Sequence, residues 1–180
     1  MITITIPERE YWDESKEEFV YSRKQTLQLE HSLVSLSKWE SKYGKPFLSK
    51  EDKTYEETVD YIKCMTITQN VSEEVYANLT SENIAEIKAY IESPMTATLI
   101  NDSNVRSGSR EQPTAELIYY WMIASNIPFE CQKWHLNRLL TLIRVCSIKN
   151  QPPKKRSQRE IMSRNAALNA ARRKKYNTKG

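Results

Sequence analysis

Leu117-Ile-Tyr-Tyr-Trp-Met-Ile-Ala124 is the most hydrophobic run in the chain, and its reading decides the fold. The run carries no charge, follows Pro113 and is broken at Asn126-Ile-Pro128. Apolar residues on every side of a helix imply near-complete burial. A second stripe follows from about Cys131 to Ser147, where Trp134, Leu136, Leu139, Leu140, Leu142, Ile143 and Cys146 recur at helical spacing. These two segments are expected to pack together as the centre of a mainly α, helical-bundle body.

Outward toward the N-terminus, helical punctuation continues. Leu33, Leu36, Trp39, Glu40 and Tyr43 recur at steps of three and four, and Gly44 with Pro46 supplies a stop. Thr54-Tyr-Glu-Glu57 has the form of a capping box and heads a stripe of Val59, Ile62, Met65 and, at its edge, Tyr55. Ser72-Glu-Glu-Val75 and Ser81-Glu-Asn-Ile84 read as two further starts with acid in the first turn, the latter running through Ile87 and Tyr90 to Ser93-Pro94. The first thirty residues differ. Ile2, Ile4 and Ile6 alternate with polar residues up to Pro7, and Phe19-Val-Tyr21 and Thr26-Leu-Gln-Leu29 read as further strands. Asp13-Glu-Ser-Lys16 is expected to turn the first strand back on the second, giving a small antiparallel β element that must lean on the helices. Between the helices, Asn101–Arg110 is dense in turn formers and reads as a mobile surface loop.

Beyond Pro152-Pro153 the chemistry changes. Ser157-Gln-Arg-Glu160 is another capping box, followed by Ile161, Met162, Ala166, Ala167, Leu168, Ala170 and Ala171. This Ala-rich helix has little apolar surface and is marginal in isolation. Residues 149–180 hold eleven Lys and Arg against Glu160 alone, a net of +10, while residues 1–148 hold the other 16 basic and 22 acidic residues, a net of −6. The chain thus divides into a body, 1–148, and a basic C-terminal helical arm, 149–180. An acidic body with a cationic arm suits either a polyanion or an acidic protein surface as partner, and a merely solubilising tail is the plainer reading. The arm residues expected to touch a partner are Lys154, Lys155, Arg156, Arg159, Arg164, Arg172, Arg173, Lys174 and Lys175. Trp12 and Trp39 stand in polar surroundings and are read as interface anchors.

Composition excludes several classes of chemistry. Only three glycines occur among 180 residues, and none belongs to a phosphate loop or nucleophile elbow. Three cysteines without a CxxC pair argue against a disulfide framework or a four-cysteine zinc site. Cys131 and His135, four apart, fall on one helical face as two metal ligands do, but no second pair completes a site. A buried thiol beside a partly buried imidazole explains them better. The glutamates cluster in first turns, where helix dipoles account for them. No apolar run reaches the ~20 residues of a membrane span, and Met1–Pro7 lacks a signal-peptide core. No cofactor, metal or catalytic residue is expected, and a soluble intracellular protein fits best.

Several blocks carry a resemblance. His31-Ser-Leu-Val-Ser-Leu-Ser-Lys-Trp-Glu-Ser-Lys-Tyr-Gly-Lys-Pro-Phe-Leu48, Met95-Thr-Ala-Thr98, Glu116-Leu-Ile-Tyr-Tyr-Trp-Met122, Ile127-Pro-Phe-Glu-Cys-Gln-Lys-Trp-His-Leu-Asn-Arg-Leu139 and Arg164-Asn-Ala-Ala-Leu-Asn-Ala-Ala-Arg-Arg173 together span nearly the whole chain. The combination resembles the tail assembly chaperones of long-tailed bacteriophages and prophages. That resemblance implies a non-catalytic factor of the host cytoplasm that binds the tape-measure protein while the tail tube grows around it. It carries no residue-level ligand set. A neck or connector component of the virion is the neighbouring alternative, and a nucleic-acid binder acting through the basic arm is the competing class. Retention in the virion and a homo-oligomer are both left open by the sequence.

Overall fold

Alternation at Ile2, Ile4 and Ile6 buries one side of strand β1 (Ile2–Ile6). The computed structural model, which describes residues 1–13, 17–100, 112–151 and 157–178, pairs β1 antiparallel with β4 (Gln25–Leu29), Ile4 facing Leu27. Between them β2 (Arg9–Asp13) pairs with β3 (Glu18–Ser22). This differs from the strand pattern the sequence predicts, which has no strand at Arg9–Asp13 and turns β1 back on Phe19–Tyr21. Instead one ribbon is nested within the other, because Leu27 and Leu29, not Phe19 and Tyr21, supply the buried partners of Ile4 and Ile6.

Both edges of the β1–β4 ribbon are engaged. The amide of Ile67 donates to the Gln28 carbonyl at 2.8 Å, and Glu30 donates to Met65 at 2.9 Å. On the other side the Asn83 amide reaches the Thr5 carbonyl at 3.3 Å. By contrast, β2 and β3 pair only with each other among the described residues.

Helix α1 (Leu33–Tyr43) starts on a capping box from Ser32 and stops at Gly44, whose φ of 63° is left-handed and favours glycine. Next, α2 (Tyr55–Met65) carries the Thr54–Glu57 box, and the short α3 (Glu73–Ala77) follows Ser72 without a side-chain cap. The cap of α4 (Ser81–Glu92) is Thr80 with Asn83, one residue earlier than the sequence suggested. Then come α5 (Ala115–Ala124), a 3₁₀ turn (Phe129–Lys133) and α6 (Leu136–Asn150). The chain is therefore mainly helical with a small antiparallel β element, as its patterning predicts.

Two clusters share the core. Ile4, Ile6, Leu27 and Leu29 pack with Trp39, Tyr61, Ile62, Met65 and Ile87, while Leu33 and Leu36 pack with Ile118, Met122, Leu136 and Leu139. Helix α1 contributes to both. The α5–α6 pair is therefore not the centre. That place belongs to α1, whose two faces separate the clusters.

The all-round burial expected of α5 also fails. Ala115, Ile118 and Met122 are buried at helical spacing, but Tyr120 and Ile123 are more than half exposed. A ten-residue helix resting on one side of α1 has one supported face, and no described element of residues 1–148 covers the other. Asn101–Arg110 and the proline pair Pro152-Pro153 lie outside the described residues. By its contacts the chain divides into Met1–Ile148 and Lys149–Gly180. The latter unit contains α7 (Gln158–Tyr176), opened by the Ser157–Glu160 capping box and closed by Asn177 at φ 51°.

Candidate functional site

The register of the β2–β3 ribbon sets Glu10 opposite Tyr21 and Trp12 opposite Phe19. Cross-strand partners and residues two apart share a face, so these four lie together. Trp12 meets Phe19 edge to face, with ring centroids 5.0 Å apart. The Tyr21 hydroxyl donates to Glu8 at 2.6 Å, a bond that raises its phenol above the ordinary value. Trp12 is 50% exposed, and Phe19 and Tyr21 more so. The ribbon thus displays carboxylates and aromatic rings side by side on an open face. Sequence reasoning found Trp12 alone. The signal for its companions was there, since Glu8, Glu10 and Trp12 keep a period of two, but polar composition hid the strand.

Trp39 is different. It is fully buried among Tyr43, Phe47 and the β1–β4 ribbon, and its indole N–H donates to the Glu57 carbonyl at 3.0 Å. Its reading as an interface anchor is overturned. The polar neighbours Ser37, Lys38 and Ser41 lie on other sides of α1, and the indole fills the space between α1 and α2. The rim of this region is held by charge. Asp60 takes bonds from Lys42 and from the Tyr43 hydroxyl, which hold its carboxyl down at about 2 and push Tyr43 up to about 12.

A second exposed surface is apolar. Tyr120 and Ile123 of α5 stand on the uncovered side of the helix, and Phe129 in the 3₁₀ turn is also more than half exposed. The Tyr119 ring lies 6.4 Å from Phe129, and its hydroxyl donates to Gln132 at 2.9 Å. Burial raises the Tyr119 phenol, and Glu116 lies near enough for its charge to raise it further. Periodicity could not find it, because it marks apolar residues without saying which of them a neighbour covers.

The arm helix α7 buries none of its residues. Arg159, Arg164, Arg172, Arg173, Lys174 and Lys175 are all exposed on it, as are Ile161, Met162 and Leu168. Its three last-turn cations, Arg173, Lys174 and Lys175, sit where the helix dipole favours positive charge. Lys154, Lys155 and Arg156 lie outside the described residues.

Cys131 and His135 do not share a helical face. Cys131 sits in the 3₁₀ turn. The backbone then extends at Trp134, and His135 pairs with Ser32 before α6 begins. The amide of Leu136 donates to the His31 carbonyl at 2.7 Å, so a tertiary contact sets the start of α6. Both histidines are buried, with ring centroids 5.1 Å apart. His135 Nε2 lies 3.0 Å from the Tyr90 carbonyl, which can only accept, so Nε2 carries the proton and Nδ1 receives the Asn137 amide at 3.3 Å. His31 Nδ1 lies 2.5 Å from the Tyr61 hydroxyl. Burial pushes His31 down to about 3 and lowers His135 as well. These neutral imidazoles tie α1, α2, α4 and the α6 start together, a structural arrangement. Among the described residues no cluster of His, Cys, Asp and Glu is placed to hold a metal, and no helix is long and apolar enough to cross a membrane. No family model, curated protein or solved structure matches this chain.

Proposed function

We propose that this protein is a non-catalytic assembly factor of the phage tail, a chaperone that binds the tape-measure protein while the tube is built. The observation that carries the reading is the uncovered apolar side of α5 and the 3₁₀ turn, Tyr120, Ile123 and Phe129. A long helical client has apolar stripes that aggregate until tube subunits enclose them. Such stripes are met by a helix face offering anchors one turn apart. The exposed cations of α7 add a charged contact, and several moderate contacts release more readily than one deep pocket. The sequence resemblance supports the tape-measure protein as client. The surface chemistry supports the kind of contact.

Co-expression tests the reading. The tape-measure protein should stay soluble and coelute with this chain, and Ile123→Asp with Tyr120→Ala should break the complex without shifting the unfolding midpoint. Excess nonspecific DNA should leave the complex intact. A client insoluble in the presence of this chain would overturn the reading, and a client stripped off by DNA would favour a nucleic-acid role for the arm. Recovery of the protein at fixed stoichiometry in purified virions would favour a neck or connector component.

A further inference from the structure

The body's net charge is concentrated. Residues 8–22 hold six acids, Glu8, Glu10, Asp13, Glu14, Glu17 and Glu18, against Arg9 and Lys16, so this ribbon accounts for −4 of the −6 carried by residues 1–148. Its described face sets Glu8 and Glu10 beside Trp12, Phe19 and Tyr21; the register puts Arg9 on the other side, while Arg23, just past β3, is a cation close to Tyr21. Carboxylates next to open aromatic rings suit cations, because a ring face attracts the ammonium or guanidinium that the carboxylate neutralises, and indole does so best. The β1–β4 ribbon has both edges engaged, whereas β2–β3 has none engaged among the described residues. A lone two-stranded ribbon is marginal in water, so covering its face stabilises it.

The complementary chemistry stands on the same polypeptide. Arg172, Arg173, Lys174 and Lys175 form an unbroken run of cations on α7, and Ile161 and Leu168, seven residues apart, lie on one side of it, exposed. We infer that the Glu8–Glu10–Trp12–Phe19–Tyr21 face of the β2–β3 ribbon receives the basic arm helix of a second copy of this chain. The arm's cations meet the carboxylates and rings, and its aliphatic residues cover Phe19. Each copy then offers one arm and one ribbon, a head-to-tail contact that forms rings or open chains. This goes beyond the chaperone reading and does not depend on it, since no client takes part.

Charge exchange between two full-length variants provides the test, read by sedimentation velocity on the protein alone. The wild type should self-associate with rising concentration, and the association should weaken at least about tenfold from ~0.05 M to ~0.5 M salt. A ribbon variant, Glu8→Lys with Glu10→Lys, should be monomeric, because the face that receives the arm then carries cations in place of its two carboxylates. An arm variant, Arg172→Glu, Arg173→Glu, Lys174→Glu and Lys175→Glu, should be monomeric because the end of α7 then carries the same negative sign as the ribbon face. Mixing the two should restore association, which also shows that both variants are folded. Trp12→Ala, at an exposed position, should weaken the wild-type contact without changing the unfolding midpoint. A wild type that stays monomeric at ~100 μM in low salt overturns the inference. So does a ribbon variant that associates like the wild type, or a mixture that remains monomeric.

Discussion

Glu40 of α1 accepts the backbone amide of Ala115, the first residue of α5, at 2.7 Å, and its second oxygen accepts the Phe47 amide at 2.8 Å. One buried carboxylate thus joins the helix that divides the core to the start of another and to the turn after Gly44. The free amides at a helix start need acceptors, and a negative charge there also suits the helix dipole. Seventy-five residues separate the partners.

Removing that carboxylate leaves two amides without an acceptor. Glu40→Ala should cost roughly 2–4 kcal/mol, while Glu40→Gln, which keeps one acceptor, should cost less. Urea unfolding followed by circular dichroism measures both. An unchanged midpoint in Glu40→Ala would mean that water replaces the carboxylate without loss.

Stability should fall in mild acid because of the buried imidazoles. His31 takes a proton near 6.5 when unfolded but only near 3 when folded, so the unfolded state binds the extra proton between those values. The stability is fully present above pH 6.5 and drains as pH falls toward 3. At pH 5 the loss from His31 is about 2 kcal/mol, and His135, also lowered, adds to it in the same direction. Unfolding free energies at pH 7.5 and 5.0 should differ by at least this much in the wild type and by clearly less in His31→Gln. Equal pH slopes in the two proteins would remove His31 as the cause.

The two tryptophans named from sequence should separate cleanly. Trp39→Ala empties a fully buried indole site and should cost about 3–5 kcal/mol. Trp12→Ala touches an exposed ring and should stay within about 0.5 kcal/mol. Thermal unfolding of both variants decides it, with a reversed order counting against the assignment.

Truncation addresses the arm. A chain ending at Ile148 should unfold at the same urea midpoint as the full chain, because α7 buries none of its residues. Under the proposed chaperone role it should bind a tape-measure protein more weakly, with the remaining affinity less sensitive to salt. Isothermal titration at two salt concentrations would show this, and equal affinities for the two chains would relieve the arm of any role.

Much of this protein was legible in local patterns. The capping boxes at Thr54 and Ser157, the left-handed stop at Gly44 and the alternation of Ile2, Ile4 and Ile6 are each settled within a few residues, where backbone sterics and short hydrogen bonds act. Net charge is additive, so the contrast between 1–148 and 149–180 needed no coordinates. What the tertiary structure decided is which apolar residues are covered. Trp39 and Trp12 both stand among polar neighbours, yet one lies between α1 and α2 and the other on an open ribbon. Tyr120 and Met122 belong to one uniformly apolar run, yet only Met122 faces α1. Strand pairing was equally out of reach, because Ile4 chose Leu27 over Phe19 through burial against distant helices. The start of α6 was set by the His31 carbonyl, more than a hundred residues away. Burial and long-range hydrogen bonding depend on what the rest of the chain brings to a point in space, and no sequence window contains that.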